Sequence, residues 1–258
     1  MNILVMAGHS ASGYKGCGAV GYINESDETR KVASKVVEYL KELGVNATYI
    51  KLDKPTSSSY LSEQVKLANS KGKFDCMVQI HFNAGSSDSN SNTTGTETYY
   101  RTSSGKVFSD RVNKKLSTLF RDRGSRNDKP NLYWLKNVSS QAAILIEVCF
   151  VDDKDDVRIY KENFDKVCKL IAEGLSNKTL SIQNTNASNN KYSNGAYNKK
   201  ARTTADLNVR LGRGTNFNII KTMPKGTVFT VNYCLDNWFS TYDFGELGYV
   251  CGSYVELI

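Results

Sequence analysis

The chain has 258 residues, 40% of them hydrophobic, enough to bury a sizeable core in one or two domains. Its formal net charge of +8 suits an acidic partner. The basic residues are dispersed apart from short groups such as Lys114-Lys115 and the arginines between 121 and 126, and no nucleic-acid motif accompanies them, so a nucleic-acid partner is not expected. No stretch approaches the ~20 apolar residues of a membrane span. The six cysteines lie far apart without metal-ligand spacing and read as reduced and mostly buried.

Ile3 to Met6 is a short apolar run that leads into Gly8-His9, which predicts a buried strand with a histidine at its C-terminal end. In open α/β sheets that end collects ligands. The opening residues lack a basic n-region and a small-residue cleavage site, so they are not expected to form a secretory signal. Residues 27–43 carry Val32, Val36, Val37, Leu40 and Leu43 at helical spacing; Asn24 or Ser26 can cap that helix, Glu25 sits where it begins, and Gly44 suits its stop. A strand over 45–52 and a helix over 61–70 follow. Asp75 to Ile80 predicts another buried strand, which delivers His81, the second of two histidines, into a polar loop at 85–95 suited to substrate contacts. Next come a strand over 96–101, an amphipathic helix over 107–121, a loop over 123–131 and a short strand over 132–135. Residues 142–151 are the most apolar stretch, interrupted by a lone Glu147; a strand over 143–148 and a single helix over 155–175 complete an α/β alternation.

Either histidine alone would read as a hydrogen-bonded structural group, and Glu25 alone as a first-turn carboxylate favoured by the helix dipole. Their joint occurrence points to a metal, because neutral imidazoles are common zinc ligands and a hydrolytic zinc takes about three protein ligands plus a water. Glu147 adds weight, since an unpaired carboxylate on apolar walls is normally neutralised, paired or near a metal. Cys149, two residues on, is expected on the same side of the strand as Glu147. A Cys–His nucleophile would leave Glu25 and Glu147 without a task.

Four ordered motifs resemble the zinc-dependent N-acetylmuramoyl-L-alanine amidases: Ala7-Gly8-His9; Gly18-Ala19-Val20-Gly21 followed by Asn24-Glu25-Ser26-Asp27; Gln79-Ile80-His81-Phe82-Asn83-Ala84; and Ile144-Leu145-Ile146-Glu147-Val148-Cys149-Phe150. The resemblance implies a mixed sheet flanked by helices, Zn2+ held by His9, Glu25 and His81, Glu147 as the catalytic residue, and peptidoglycan as the substrate. Departures are Ser-Ala-Ser after His9 where glycines are common, Cys149 in place of a usual Gly, and Asp152-Asp153 in place of a common Asn. None removes a ligand. A zinc peptidase cutting within the stem peptide would share the same metal site.

Residues 177–200, rich in Asn, Ser and Lys, predict a polar linker between a catalytic domain at 1–176 and a small all-β barrel at 201–258. The last segment has short strand-like pieces with Gly-containing turns. Leu207-Asn208-Val209-Arg210, Gly212, Gly214, Lys225-Gly226, Trp238 and Gly248-Tyr249-Val250 resemble a bacterial SH3 domain, which implies binding to the cell wall. Trp238, Tyr242 and Tyr249 are candidates for an exposed aromatic surface. The pairing resembles a bacteriophage endolysin made in the host cytoplasm and acting on the wall after release; a bacterial autolysin is the alternative with the same activity.

Overall fold

A computed structural model describes every residue except 58, 86–92, 129–130, 181–190, 216 and 246. The chain divides into two compact units, Met1–Leu180 and Ser181–Ile258. Most of the polar loop expected at 85–95 lies outside the described residues. Among those described, no helix is long and apolar enough to cross a membrane.

The first unit is built on a six-stranded mixed sheet. Its strands are β1 (Asn2–Ala7), β2 (Asn46–Ile50), β3 (Cys76–Asn83), β4 (Thr96–Tyr100), β5 (Asp122–Asn127) and β6 (Ala143–Phe150). The spatial order is β2-β1-β3-β6-β4-β5; all neighbours run parallel except β6 and β4, which are antiparallel. Side chains alternate across the strands and feed two cores. Ile3, Val5, Ala7, Val78, Ile80, Ile144 and Ile146 pack on one face. Against them lie residues of α1 (Glu25–Glu42), α3 (Ser103–Leu116), α5 (Lys154–Glu162) and α6 (Phe164–Ser176). Leu4, Met6, Met77 and Leu145 face the other way, against Val65 and Ala68 of α2 (Tyr60–Asn69) and Trp134 and Leu135 of α4 (Tyr133–Asn137).

Several elements differ from the sequence expectation. Residues 123–131, expected as loop, hold most of β5, an edge strand of Asp, Arg, Gly, Ser and Asn without apolar alternation, paired on one side only and half-buried to exposed along its length. The short strand expected at 132–135 is instead the start of α4, because a brief apolar run fits either state and here Trp134 turns its Nε1–H onto the Ile144 carbonyl at 3.2 Å. The single helix expected at 155–175 breaks at Asn163, which ends α5 and starts α6; its side-chain amide bonds back to the Ile159 carbonyl at 2.9 Å and competes with helix continuation.

The second unit is a seven-stranded antiparallel sheet. Its strands are β7 (Gly195–Thr203), β8 (Leu207–Arg210), β9 (Ile219–Met223), β10 (Val228–Leu235), β11 (Trp238–Thr241), β12 (Gly248–Cys251) and β13 (Val255–Leu257), in the order β13-β7-β10-β11-β12-β8-β9. Its own core holds Leu207, Val209, Phe229, Val231, Phe239 and Val250. The polar stretch expected as linker up to residue 200 therefore ends earlier. Its last residues belong to β7, which pairs with β10 and β13 while only Ala201 and Thr203 of this strand are buried. Tyr242 is 61% exposed, whereas Trp238 and Tyr249 are half-buried, so the three aromatics do not form one uniformly exposed surface.

Candidate functional site

β1 ends at Ala7, and the Gly8 N–H bonds the Ile80 carbonyl of β3 at 2.9 Å, so the two strand ends that carry His9 and His81 are stitched together. Gly8 is required there: a Cβ would fall 2.5 Å from that carbonyl and 2.6 Å from the His81 ring. His9 then takes φ +60°, a left-handed conformation unusual for a residue with a side chain. Its carbonyl is held by Gln64 Nε2 at 3.1 Å and by the Arg30 guanidinium at 3.3 Å. Arg30 also bonds the Ser26 carbonyl at 2.7 Å, the Leu52 carbonyl at 3.0 Å and Asp53 at 3.0 Å. Gln64, itself buried, receives the Gln79 amide at 3.1 Å.

Glu25 opens α1, two residues before the expected start. Asn24 caps that helix by accepting from the Asp27 N–H. The carboxylate is buried and its orientation is fixed by backbone: Ala19 N–H donates to Oε2 at 3.0 Å and Phe82 N–H to Oε1 at 3.0 Å. Gly18 makes room for it, since a Cβ there would lie 2.5 Å from Oε2.

These elements bring three expected residues together. His9 Nε2 and His81 Nδ1 each lie 3.1 Å from Glu25 Oε1, and the three donor atoms fall within 4.8 Å of one another. Among the described residues this is the one group of three or more His, Cys, Asp or Glu side chains close enough to share an ion. The spacing fits a cation. Ligand atoms about 2.0–2.1 Å from a tetrahedral centre are themselves about 3.4 Å apart. His9 Nδ1 sits 3.1 Å from the Gly16 carbonyl, which can only accept, so an imidazole with its proton on that nitrogen would turn an Nε2 lone pair toward a bound cation. Burial holds the His81 pKa below its usual range and keeps the ring neutral, as a ligand must be. Burial opposes ionisation of Glu25, yet the hydrogen bonds from His81 and His9 outweigh it and hold the carboxyl well below the ordinary range.

Glu147 stands beside His81 in the parallel pairing of β3 and β6, and opposite Glu97 in the antiparallel pairing of β6 and β4. The three side chains thus form a row across one face of the sheet. Glu147 Oε2 is buried with no hydrogen-bond partner among the described residues. Burial, and then the carboxylates of Glu25 and Glu97, push its pKa well above the ordinary carboxylate value.

Cys149 does not share that face. A register shift between His81 and Asn83 adds a residue to β6 after Glu147, and Cys149 turns into the opposite core with Val148 and Val151. Burial, with Asp156 and Asp153 nearby, raises its thiol pKa well above 9.0, so it is not a nucleophile. Glu97, Arg30 and Gln64 were not singled out in the sequence. A lone Glu in the strand-like Thr96-Glu97-Thr98-Tyr99-Tyr100 run was the available signal for the first; the other two look like ordinary surface residues of amphipathic helices.

Residues 3–177 match the family described as N-acetylmuramoyl-L-alanine amidase, and residues 205–256 match the bacterial SH3 domain. The chain is 33% identical over 184 residues to an uncharacterized protein of Clostridium perfringens (strain 13 / Type A), covering 70% of this chain and 53% of that protein. It is 26% identical over 276 residues to probable autolysin PH of Staphylococcus aureus (strain NCTC 8325 / PS 47), covering 92% of this chain and 55% of that one. The chain thus spans about half the length of these two relatives. Among solved structures, the catalytic domain of CD27L endolysin targeting Clostridia Difficile superposes with a TM-score of 0.63 at 29% identity, covering 70% of this chain and 99% of that domain. The catalytic domain of CwlV, an N-acetylmuramoyl-L-alanine amidase from Bacillus (Paenibacillus) polymyxa var. colistinus, gives 0.55 at 29% identity over 69% and 97%.

Proposed function

From a chain that belongs to the N-acetylmuramoyl-L-alanine amidase family, we propose a peptidoglycan hydrolase that cleaves the amide between the lactyl group of N-acetylmuramic acid and L-alanine. His9, Glu25 and His81 would hold Zn2+, and Glu147 would carry the proton. The observation that supports this most is the convergence of two imidazoles and one ionised carboxylate beside Glu147, whose Oε2 is buried without a hydrogen-bond partner among the described residues. A zinc ion at such a site supplies Lewis acidity, which lowers the pKa of water toward about 7 and polarises a carbonyl.

The rest of the chemistry belongs to the side chains. Glu147 takes the proton of the attacking water, and its raised pKa makes it a better base than an ordinary carboxylate once ionised. It then returns that proton to the departing amine nitrogen, which leaves poorly as an anion. Glu25, locked by two backbone N–H groups, stays ionised and contributes charge rather than proton transfer. The bacterial SH3 unit would bind the wall and tether the first unit to its substrate, as in an endolysin or an autolysin.

Incubation with purified walls should expose new L-alanine amino termini, and a chelator should stop their release. A new amino terminus at a later residue of the stem peptide would replace this reading with a peptidase; intact walls would remove the activity altogether.

A further inference from the structure

The row formed by His81, Glu147 and Glu97 continues onto the edge strand, where the hydrolysis just described makes no use of it. Glu97 is 2% exposed. Next to it the pairing of β4 with β5 shifts register, so that Arg123 and Gly124 together oppose the single residue Glu97, with Gly124 at φ +101°. Residues three apart would point to opposite faces of a regular strand. The bulge instead lets Arg123 and Arg126 both reach Glu97, their Nε atoms 3.3 and 2.9 Å from Oε2. Arg123 is also set over the Phe150 ring at 4.9 Å. The single Arg126 Nε–H donates to the Arg123 carbonyl at 2.9 Å, which fixes the side chain's direction, so its pairing with Glu97 Oε2 is one of charge and not a hydrogen bond. Its terminal nitrogens have no partner among the described residues, and the side chain is 47% exposed. Glu97 therefore faces two guanidiniums; Arg123 also acts on the buried Asp156, whereas Arg126 holds its terminal nitrogens toward solvent two strands from Glu147.

We propose that Arg126, oriented by Glu97 and supported by Arg123, is a specificity-determining residue that receives a carboxylate of the substrate. The site would then prefer an anionic muramyl peptide, one whose residue after L-alanine carries a free carboxylate. A guanidinium fork suits a carboxylate in two-point contact. This inference rests on the amide-hydrolase reading above.

The test uses the full metal-loaded chain and two soluble muramyl peptides that differ only in a carboxylate or a carboxamide on the residue after L-alanine. The wild type should favour the carboxylate substrate by roughly fivefold in kcat/KM, through KM, as expected for one half-exposed charge pair. Added salt should shrink the preference. Arg126→Gln should abolish it, and Arg126→Lys should restore part of it; a change in stability alone would move both substrates equally. A wild type without preference, or an Arg126→Gln variant that keeps it, would overturn the inference while leaving the hydrolase intact. A wild type that cleaves neither substrate would remove both.

Discussion

The two units bury different kinds of polar residue. In the first, Glu25, Glu97, Asp128, Asp153 and Asp156 are buried with the apolar core, and Glu147 is nearly so; in the second, the buried polar residues described are Thr203, Asn237, Ser240 and Thr241, all uncharged. Buried carboxylates cost several kcal/mol each unless well paired. A unit that gathers Glu25, Glu97, Glu147, Asp153 and Asp156 toward one end of its sheet is shaped by more than packing, whereas the polar residues that the second unit buries are those of a module optimised to fold. Removing charge from each unit in turn tests that contrast.

The largest effect should come from the His9, Glu25 and His81 cluster. His81→Ala removes a donor that has no substitute nearby, so zinc per protein should fall to background and wall clearing with it. Retained zinc would refute its role as a ligand. Glu147→Ala should keep the metal and lower kcat by roughly 10³-fold, within the usual range for a general acid–base group. Loss of metal together with activity would instead make Glu147 part of the cation site.

Deleting residues 181–258 should come next. The first unit has its own two cores, so turnover of a soluble muramyl peptide should persist. Activity on whole walls should fall by roughly 100-fold as the tether is lost. Equal loss on both substrates would mean that the barrel supports the fold rather than the location of the enzyme.

A smaller change should follow at Arg30, whose bonds hold the left-handed His9 carbonyl. Arg30→Met should weaken zinc affinity by about tenfold, the lower end for groups that orient ligands, measured by chelator competition. Affinity equal to wild type would show that Gln64 alone suffices.

The two histidines and Glu147 were legible as candidates because each is a local anomaly: a strand that ends on histidine, a carboxylate inside an apolar run. The residues around them were not, because their placement is decided by partners far along the chain. Two register shifts did most of the hiding. One turns Cys149 away from Glu147, and the other brings Arg123 and Arg126 to the same side. Neither shift leaves a mark in the hydrophobic pattern except Gly124. The early start of the barrel escaped notice for a related reason: Asn198, Lys199 and Lys200 face solvent on a strand whose pairing, not its side chains, places it in the sheet.

The smallest predicted effect bears most directly on the cost of a buried carboxylate. The folded-state pKa of Glu147 is raised well above 4.5, so the folded chain holds that proton more tightly than the unfolded chain does. Ionisation therefore penalises folding, beginning as pH rises above about 4.5 and reaching its full extent above the folded pKa. In metal-free protein, Glu147→Gln should accordingly leave the melting temperature unchanged near pH 4 and raise it near pH 8. For a unit of this size, about 1 kcal/mol corresponds to roughly 2–4 °C. Added zinc should narrow the difference, because a nearby cation favours the ionised carboxylate. Glu25 has the opposite sign: its depressed pKa stabilises the fold above about 4.5 and that contribution is lost as pH falls, so Glu25→Gln should lower the melting temperature at pH 8. A Glu147→Gln variant that melts below wild type at pH 8 would mean that this carboxylate is already compensated, and the contrast between the two units would then rest on Glu97 and the aspartates alone.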